Sequence, residues 1–313
     1  MITRRGLLTG FGAFGLGGTG LAGYAASESW FDGITRYNLS PPGWPADRSL
    51  RIVALADIHA CEPFMGLTRV RRLVAAANAL RPDVTVLLGD YVPSRGLLRY
   101  ADWIEEPRIA EALGALQAPR GVFAILGNHD WWEDDAAMAR RGGPTAIGRA
   151  LAANGIRVLE NGAVRTGGAD HPVWIAGLGD QWAFWRPNSR HELRRGRPRY
   201  IGIDDLPGTL GQVTDTAPVI LLIHEPDGFV NVPDRVALTL AGHTHGGQVQ
   251  LFGYAPIVPS MYGRRFVYGH IVENDRHLVV SGGLGCSGVP IRFGCPPEIV
   301  VVDLGPPRRG ALA

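Results

Sequence analysis

Five of the nine histidines, together with Asp57, Asp90 and Asn128, fall in five short motifs spread along the chain. In order these are Asp57-Ile58-His59, Gly89-Asp90, Gly127-Asn128-His129-Asp130, His224, and Gly242-His243-Thr244-His245. Carboxylates, imidazoles and one amide suit borderline divalent ions such as Mn, Fe or Zn. Calcium prefers oxygen ligands throughout, and structural zinc prefers thiolates. Two such ions about 3.5–4 Å apart can hold both non-bridging oxygens of a phosphate and lower the pKa of a bound water towards roughly 7. The departing alkoxide then needs a proton, and a histidine beside the ions, not on them, suits that step. Taken singly, each motif also reads as a loop start, a helix cap or a turn. Only their combination points to chemistry.

Each motif follows an apolar run. Residues 51–56 (RIVALA), 83–88 (DVTVLL), 121–126 (GVFAIL), 219–223 (VILLI) and 236–241 (VALTLA) read as strands buried on both faces. Between the first three, residues 66–80 and 101–117 carry apolar positions three and four apart, the period of a helix. Strands alternating with helices imply an α/β fold with a largely parallel sheet. Ligands of such sheets gather beyond the carboxyl ends of the strands, which is where all five motifs fall.

The order DxH, GD, GNHD, H, GHTH resembles the calcineurin-like metallophosphoesterase superfamily. Two stretches, AGHTHGGQV (residues 241–249) and RFGCPPEI (residues 292–299), are similar to signatures of its bacterial exported or membrane-attached phosphodiesterase branch. The resemblance spans about residues 50–304. It implies a two-sheet β-sandwich flanked by helices, with βαβ units, and two divalent metal ions. Asp57, His59 and His245 would hold the first ion and Asp90 would bridge. Asn128, His224 and His243 would complete the second, with His129 as the acid at the scissile oxygen. Relatives with protein-phosphatase activity carry GDxVDRG, whose second aspartate orients that histidine. Here the stretch is Gly89-Asp90-Tyr91-Val92-Pro93-Ser94-Arg95-Gly96. Pro93 and Ser94 replace the carboxylate, so His129 is either oriented by another group or less important.

The amino terminus is the second informative region. Thr3-Arg4-Arg5-Gly6-Leu7-Leu8 resembles a twin-arginine export signal, and residues 6–27 carry no charge. Residues 1–30 therefore read as a twin-arginine signal peptide or a retained N-terminal anchor, cleavage being open. The expected plan continues with a linker over 31–49, the metallophosphoesterase domain over 50–304 and a C-terminal tail over 305–313. Export places the protein in the periplasm or otherwise outside the cytoplasm, free or membrane-anchored. A hydrophobic content of 46 % with 19 % charged residues suits a globular chain able to bury a core, and a net charge of +2 favours no class of partner. Cys61, Cys286 and Cys295 are too few for a disulfide scaffold, and whether the last two pair is open. His171, His191, His270 and His277 read as surface residues.

Residues 181–200 (QWAFWRPNSRHELRRGRPRY) interleave six arginines with Trp182, Phe184, Trp185 and Tyr200. They read either as a flap that offers cations and rings to a substrate or an anionic membrane, or as a solvated insertion. The expected function is a dinuclear metal-dependent phosphoester hydrolase, by resemblance a phosphodiesterase, in which a metal-bound hydroxide attacks a cell-envelope or lipid-linked phosphoester. A broad phosphomonoesterase, a pyrophosphatase of nucleotide-linked lipid precursors and a non-catalytic metal-binding interaction module are the alternatives. Expected partners are the phosphoester substrate, a membrane surface and the twin-arginine export machinery; an exported chain is not expected to meet nucleic acid.

Overall fold

Short runs of Val, Ile, Leu and Ala become strands because β-branched and aliphatic side chains fit a pleated surface that is covered on both sides. The computed structural model describes residues 25–185 and 200–306. It arranges these runs in two six-stranded sheets. The first has the order β1 (Gly33–Leu39), β16 (Glu298–Leu304), β2 (Leu50–Leu55), β4 (Val84–Leu88), β6 (Val122–Ile125) and β7 (Arg157–Val158). Only the β16–β2 pair in it is antiparallel. The second has the order β14 (Gly269–Glu273), β15 (Arg276–Val280), β13 (Val236–Ala241), β12 (Val219–Leu222), β9 (Val173–Gly177) and β8 (Gly162–Thr166). Its four central strands are parallel and its two edge strands antiparallel. Two minor ribbons pair β3 (Cys61–Glu62) with β5 (Asp102–Trp103) and β10 (Phe184–Trp185) with β11 (Tyr200–Ile201).

Alternate residues of each strand serve different cores. Ile52, Ala54, Val86 and Ile125 meet Ile175, Ile220, Leu222 and Leu240 in the layer between the sheets. Val53, Leu55, Leu87 and Ala124 point the other way, against helices Leu67–Ala79, Glu106–Leu113 and Ala146–Ala153. Beyond the second sheet, Val219, Leu221 and Val280 pack on Phe229, Val232 and Phe266. The result is a mixed α/β sandwich of two sheets with flanking helices.

Three expectations change. The five motif-bearing strands do not share one sheet: β2, β4 and β6 lie in the first, β12 and β13 in the second. Burial on both faces marks a strand as interior without naming its neighbours. Within 101–117 only Glu106–Leu113 is helical, and Asp102–Trp103 forms β5. Residues 31–49, read as a linker, contain β1, paired residue for residue with β16 from Gly33↔Glu298 to Leu39↔Leu304. Its sequence, GITRYNL, buries alternate positions only partly at a sheet edge, so it has no apolar run to betray it.

The twin-arginine stretch and the tail beyond residue 306 lie outside the described residues. Among the described residues no helix is long and apolar enough to cross a membrane.

Candidate active site

All five motifs sit just past the carboxyl ends of their strands. Asp57 and His59 follow β2, Asp90 follows β4, Asn128 and His129 follow β6, His224 follows β12, and His243 and His245 follow β13. Backbone bonds sew the loops together: Asp57 N donates to Gly89 O, His59 N to Asp90 O, and Gly242 N to His224 O. Five of these residues, Asp57, His59, Asp90, His243 and His245, hold φ between 46° and 69°. Left-handed backbone is unfavourable for side chains other than glycine, and such strain concentrates where function over-determines geometry. The neighbouring glycines permit the close approach. A Cβ at Gly89 would stand 2.6 Å from Gly127 N, and one at Gly242 would stand 2.7 Å from Asp57 Oδ2.

The ligand-type atoms form two groups, Asp57 with His59 and His245, and Asp90 with His224 and His243. His59 Nε2 lies 3.1 Å from His245 Nε2, and Asp57 Oδ1 lies 3.7 Å from His245 Nε2. Asp90 Oδ2 stands between the groups, 3.6 Å from His59 Nε2 and 3.3 Å from His224 Nε2. Asn128 follows Gly127, where an added Cβ would stand 2.6 Å from His224 Nε2 and collide with Asp90. All of these side chains are buried.

The other edge of each imidazole is fixed, which sets tautomer and aim. His59 Nδ1 donates to Val92 O at 2.9 Å, and His224 Nδ1 donates to Leu88 O at 2.7 Å. The His243 ring is packed edge-on against Trp182 and His224, with centroids 4.6 and 5.1 Å away. His245 Nδ1 faces Arg292 Nη2 at 3.2 Å. Asp57 Oδ1 accepts from His243 N and Asp90 Oδ1 from His129 N, each at 2.9 Å.

The residues fit divalent cations. Asp57 Oδ2, Asn128 Oδ1, His224 Nε2 and His243 Nε2 are buried without a hydrogen-bond partner. Stranded polar atoms of this kind call for an explanation, and three of these four belong to residues of the two ligand groups, which marks a place for ions. Burial holds His59 down to about 4 and His243 to about 3, so both are neutral at pH 7, as ligation requires. Burial raises Asp57 to about 7, the response of a carboxyl lacking the counter-charge a cation provides. Asp90 stays well below the usual carboxylate range despite burial, because His224, His129 and His59 surround it. Asp180, His224 and Glu225 form a third close group. There too burial pushes Glu225 up to about 7 and Asp180 well above the ordinary range, and His224 is shared with the second group.

His129 sits beside these groups, its ring centroid 5.3 Å from that of His59. Its Nδ1 donates to Glu133 Oε1 at 3.3 Å, and Glu133 Oε2 accepts from Arg95 Nε at 2.8 Å. Glu133 is therefore placed where a carboxylate that orients His129 would stand, a position Pro93 and Ser94 do not fill. The spacing of four residues along one helical turn was a readable signal for it. Asp130 also escaped assignment. Its carboxylate accepts from Asp90 N, Tyr91 N and Gly127 N, each at 2.9 Å, and so locks the GD loop onto the GNHD turn. Arg292, fully buried, donates to the carbonyls of Gly282, Gly285 and Cys295 beneath His245. The three cysteines are free and buried.

Aromatic rings wall one side. Trp182 lies 4.6 Å from His243 and stacks on Tyr200 at 4.2 Å, while Trp132 lies 5.2 Å from His129. Phe184, expected on the flap, is instead buried against Trp131. The six arginines of residues 186–199 lie outside the described residues.

A family model of the calcineurin-like phosphoesterases matches residues 50–247. The chain is 33 % identical over 257 residues to the uncharacterized metallophosphoesterase YkuE of Bacillus subtilis, covering 81 % of this chain and 78 % of that one. An uncharacterized metallophosphoesterase of Aquifex aeolicus is 28 % identical over 293 residues, covering 91 % and 96 %. The phosphodiesterase YaeI of Escherichia coli is 28 % identical over 263 residues, covering 81 % and 82 %. Motif order, ligand geometry and these matches agree: the chain belongs to the calcineurin-like phosphoesterase family and is a metal-dependent phosphoesterase.

Proposed function

We propose that the chain is a two-metal phosphodiesterase acting outside the cytoplasm on a cell-envelope or lipid-linked phosphodiester. The observation that carries the two-ion reading is Asp90, one carboxylate oxygen of which faces a histidine of each ligand group. Asp57, His59 and His245 would hold one divalent ion (Mn, Fe or Zn), Asn128, His224 and His243 the other, and Asp90 both. Ions bound there would neutralise phosphoryl oxygens and supply an acidified water.

The chain's own groups do the rest. His129, held by Glu133, carries a proton at the rim of the site for the leaving oxygen. Burial of the ligand shell excludes bulk water, which strengthens every charge interaction inside. Trp132, Trp182 and Tyr200 offer ring faces to the substituent beyond the phosphate. The diester preference is supported by the name of the Escherichia coli relative and by that apolar wall, which suits a second esterified group. Export is supported by Thr3-Arg4-Arg5-Gly6-Leu7-Leu8 and the uncharged stretch after it.

Comparing turnover of bis(p-nitrophenyl) phosphate and p-nitrophenyl phosphate tests the preference. A higher kcat/KM for the diester is expected. Preference for the monoester would keep the metal site and make the enzyme a phosphomonoesterase. A chain that loads metal fully and turns over neither would point to a narrow substrate, and one that stays empty after metal reconstitution would favour an interaction module.

A further inference from the structure

The chain beyond the last histidine pair leaves the site and returns with an unusual surface. Among the described residues, six of the fourteen exposed large apolar side chains lie in this short stretch: Leu251, Phe252, Tyr254, Ile257, Met261 and Tyr262. Phe252 is wholly exposed and Ile257 is 78 % exposed. Scattered surface apolar residues are ordinary, but a local concentration marks an interaction surface.

The stretch is anchored on its inner side. Ser260 Oγ and Met261 N donate to the Asp227 carboxylate. Its outer tip is a tight hairpin in which Leu251 and Tyr254 pair, while Phe252 and Gly253 hold φ of 51° and 77°. Such a turn favours Asn-Gly or Asp-Gly. A phenylalanine there is costly twice over, in its left-handed backbone and in its bare ring, and neither helps the fold.

Charge then selects the partner. No acidic residue occurs between Asp234 and Glu273, whereas Arg264 lies over the Tyr254 ring at 4.3 Å. Aromatic and aliphatic tips flanked by arginine match the boundary between anionic headgroups and acyl chains. The first described residues share the base of this stretch. Gln250 N donates to Phe293 O, Arg292 N to Ala25 O, and Gly294 N to Glu28 Oε2. The sequence preceding that point is uncharged over residues 6–27, and Trp30 and Phe31 just after it are exposed.

We infer that the surface from Leu251 to Tyr262 docks on an anionic lipid bilayer, with Phe252 and Ile257 entering the interface and Arg264 at headgroup level. This deepens the reading of an envelope phosphodiesterase and rests on it for its purpose: docking presents the mouth of the site to phosphodiesters at the membrane surface.

The full chain carrying Phe252→Cys, labelled with a polarity-sensitive fluorophore, tests it, because the three native cysteines are buried. Gln117→Cys, exposed at the opposite ends of the strands, is the labelled control. Vesicles of phosphatidylcholine with phosphatidylglycerol should shift emission at position 252 to shorter wavelength, with quenching by shallow nitroxide lipids and no change at 117. In that protein Ile257→Ser should weaken vesicle partitioning about tenfold. Three results would overturn the inference: a chain that sediments with vesicles while both labels stay in water, a chain that ignores anionic vesicles, or a lipid-independent shift that grows with protein concentration, which means a second copy covers the surface. Hydrolysis of bis(p-nitrophenyl) phosphate by the same labelled proteins is scored separately. Docking without turnover would sink the hydrolase reading alone.

Discussion

Glu133 is the group through which the proposed acid can be tested without touching a metal ligand. Its Oε1 receives the His129 Nδ1 proton at 3.3 Å, and both side chains are largely buried, at 14 % and 6 % exposure. Hydrogen bonds to charged groups contribute about 1.5–3 kcal/mol. The long distance places this one at the lower end, so Glu133→Gln should lower kcat roughly tenfold at about 1.36 kcal/mol per decade. KM should change little, since Glu133 lies behind His129. The loss must depend on the leaving group. p-Nitrophenolate departs readily without a proton, whereas a phenyl or alkyl alkoxide does not, so the defect should be small for the first and largest for the last.

The pH profile supplies a second readout. Burial disfavours the His129 cation, but Asp90 and Glu133 together hold its pKa above the ordinary value. An acid works while protonated, below its pKa. Removing the Glu133 charge lowers that pKa, so the basic limb of kcat should move to lower pH. Asp135→Asn, which alters only a 93 % exposed partner of Arg95, is the control and should stay within about 0.5 kcal/mol of wild type. An equal loss on every leaving group, or a basic limb that does not move, would refute Glu133 as the partner of a catalytic acid.

Other perturbations follow from the same contacts. Asp130→Ala strands the backbone N–H groups of Asp90, Tyr91 and Gly127, each at about 1–3 kcal/mol, so urea unfolding of the metal-free chain should show a loss of roughly 3 kcal/mol or more. Retention of wild-type stability would mean those groups find other partners. Arg292→Met leaves the carbonyls of Gly282, Gly285 and Cys295 unpaired beneath His245, each at about 1–3 kcal/mol, so stability and part of the metal complement should be lost, read by denaturation and by mass spectrometry. Trp182→Ala removes the rings' contact with His243 and Tyr200 and should raise KM for aryl diesters more than it lowers kcat, by roughly three- to tenfold. An unchanged KM would remove the ring wall from substrate binding.

The five motif strands were readable because parallel strands covered on both faces keep their apolar side chains consecutive, as in Val84–Leu88. The ligands were readable because each follows such a strand directly. Which sheet a strand joins is decided by pairing between distant segments, and β12 and β13 carry no local mark of their sheet. The edge strand β1 was missed because half-burial needs only Tyr37 and Leu39. Glu133 was within reach from helical spacing. Asp130 was visible but silent, since a carboxylate that accepts three backbone N–H groups looks in sequence like a ligand or a cap. Arg292 needed the structure. Nothing near it in sequence says that its guanidinium will reach under His245.

The central claim is a two-ion site joined through Asp90. Metal content of the full chain and of Asp90→Asn, measured by mass spectrometry after reconstitution with Mn or Zn and paired with bis(p-nitrophenyl) phosphate turnover, tests it most directly. Two ions per wild-type chain are expected, with turnover lost to a chelator and restored by metal. Asp90→Asn should hold fewer ions and lose turnover by orders of magnitude, because one bridging charge serves both groups. A wild-type chain that turns over fully with one ion, or an Asp90→Asn variant that keeps two ions and wild-type activity, would contradict the account.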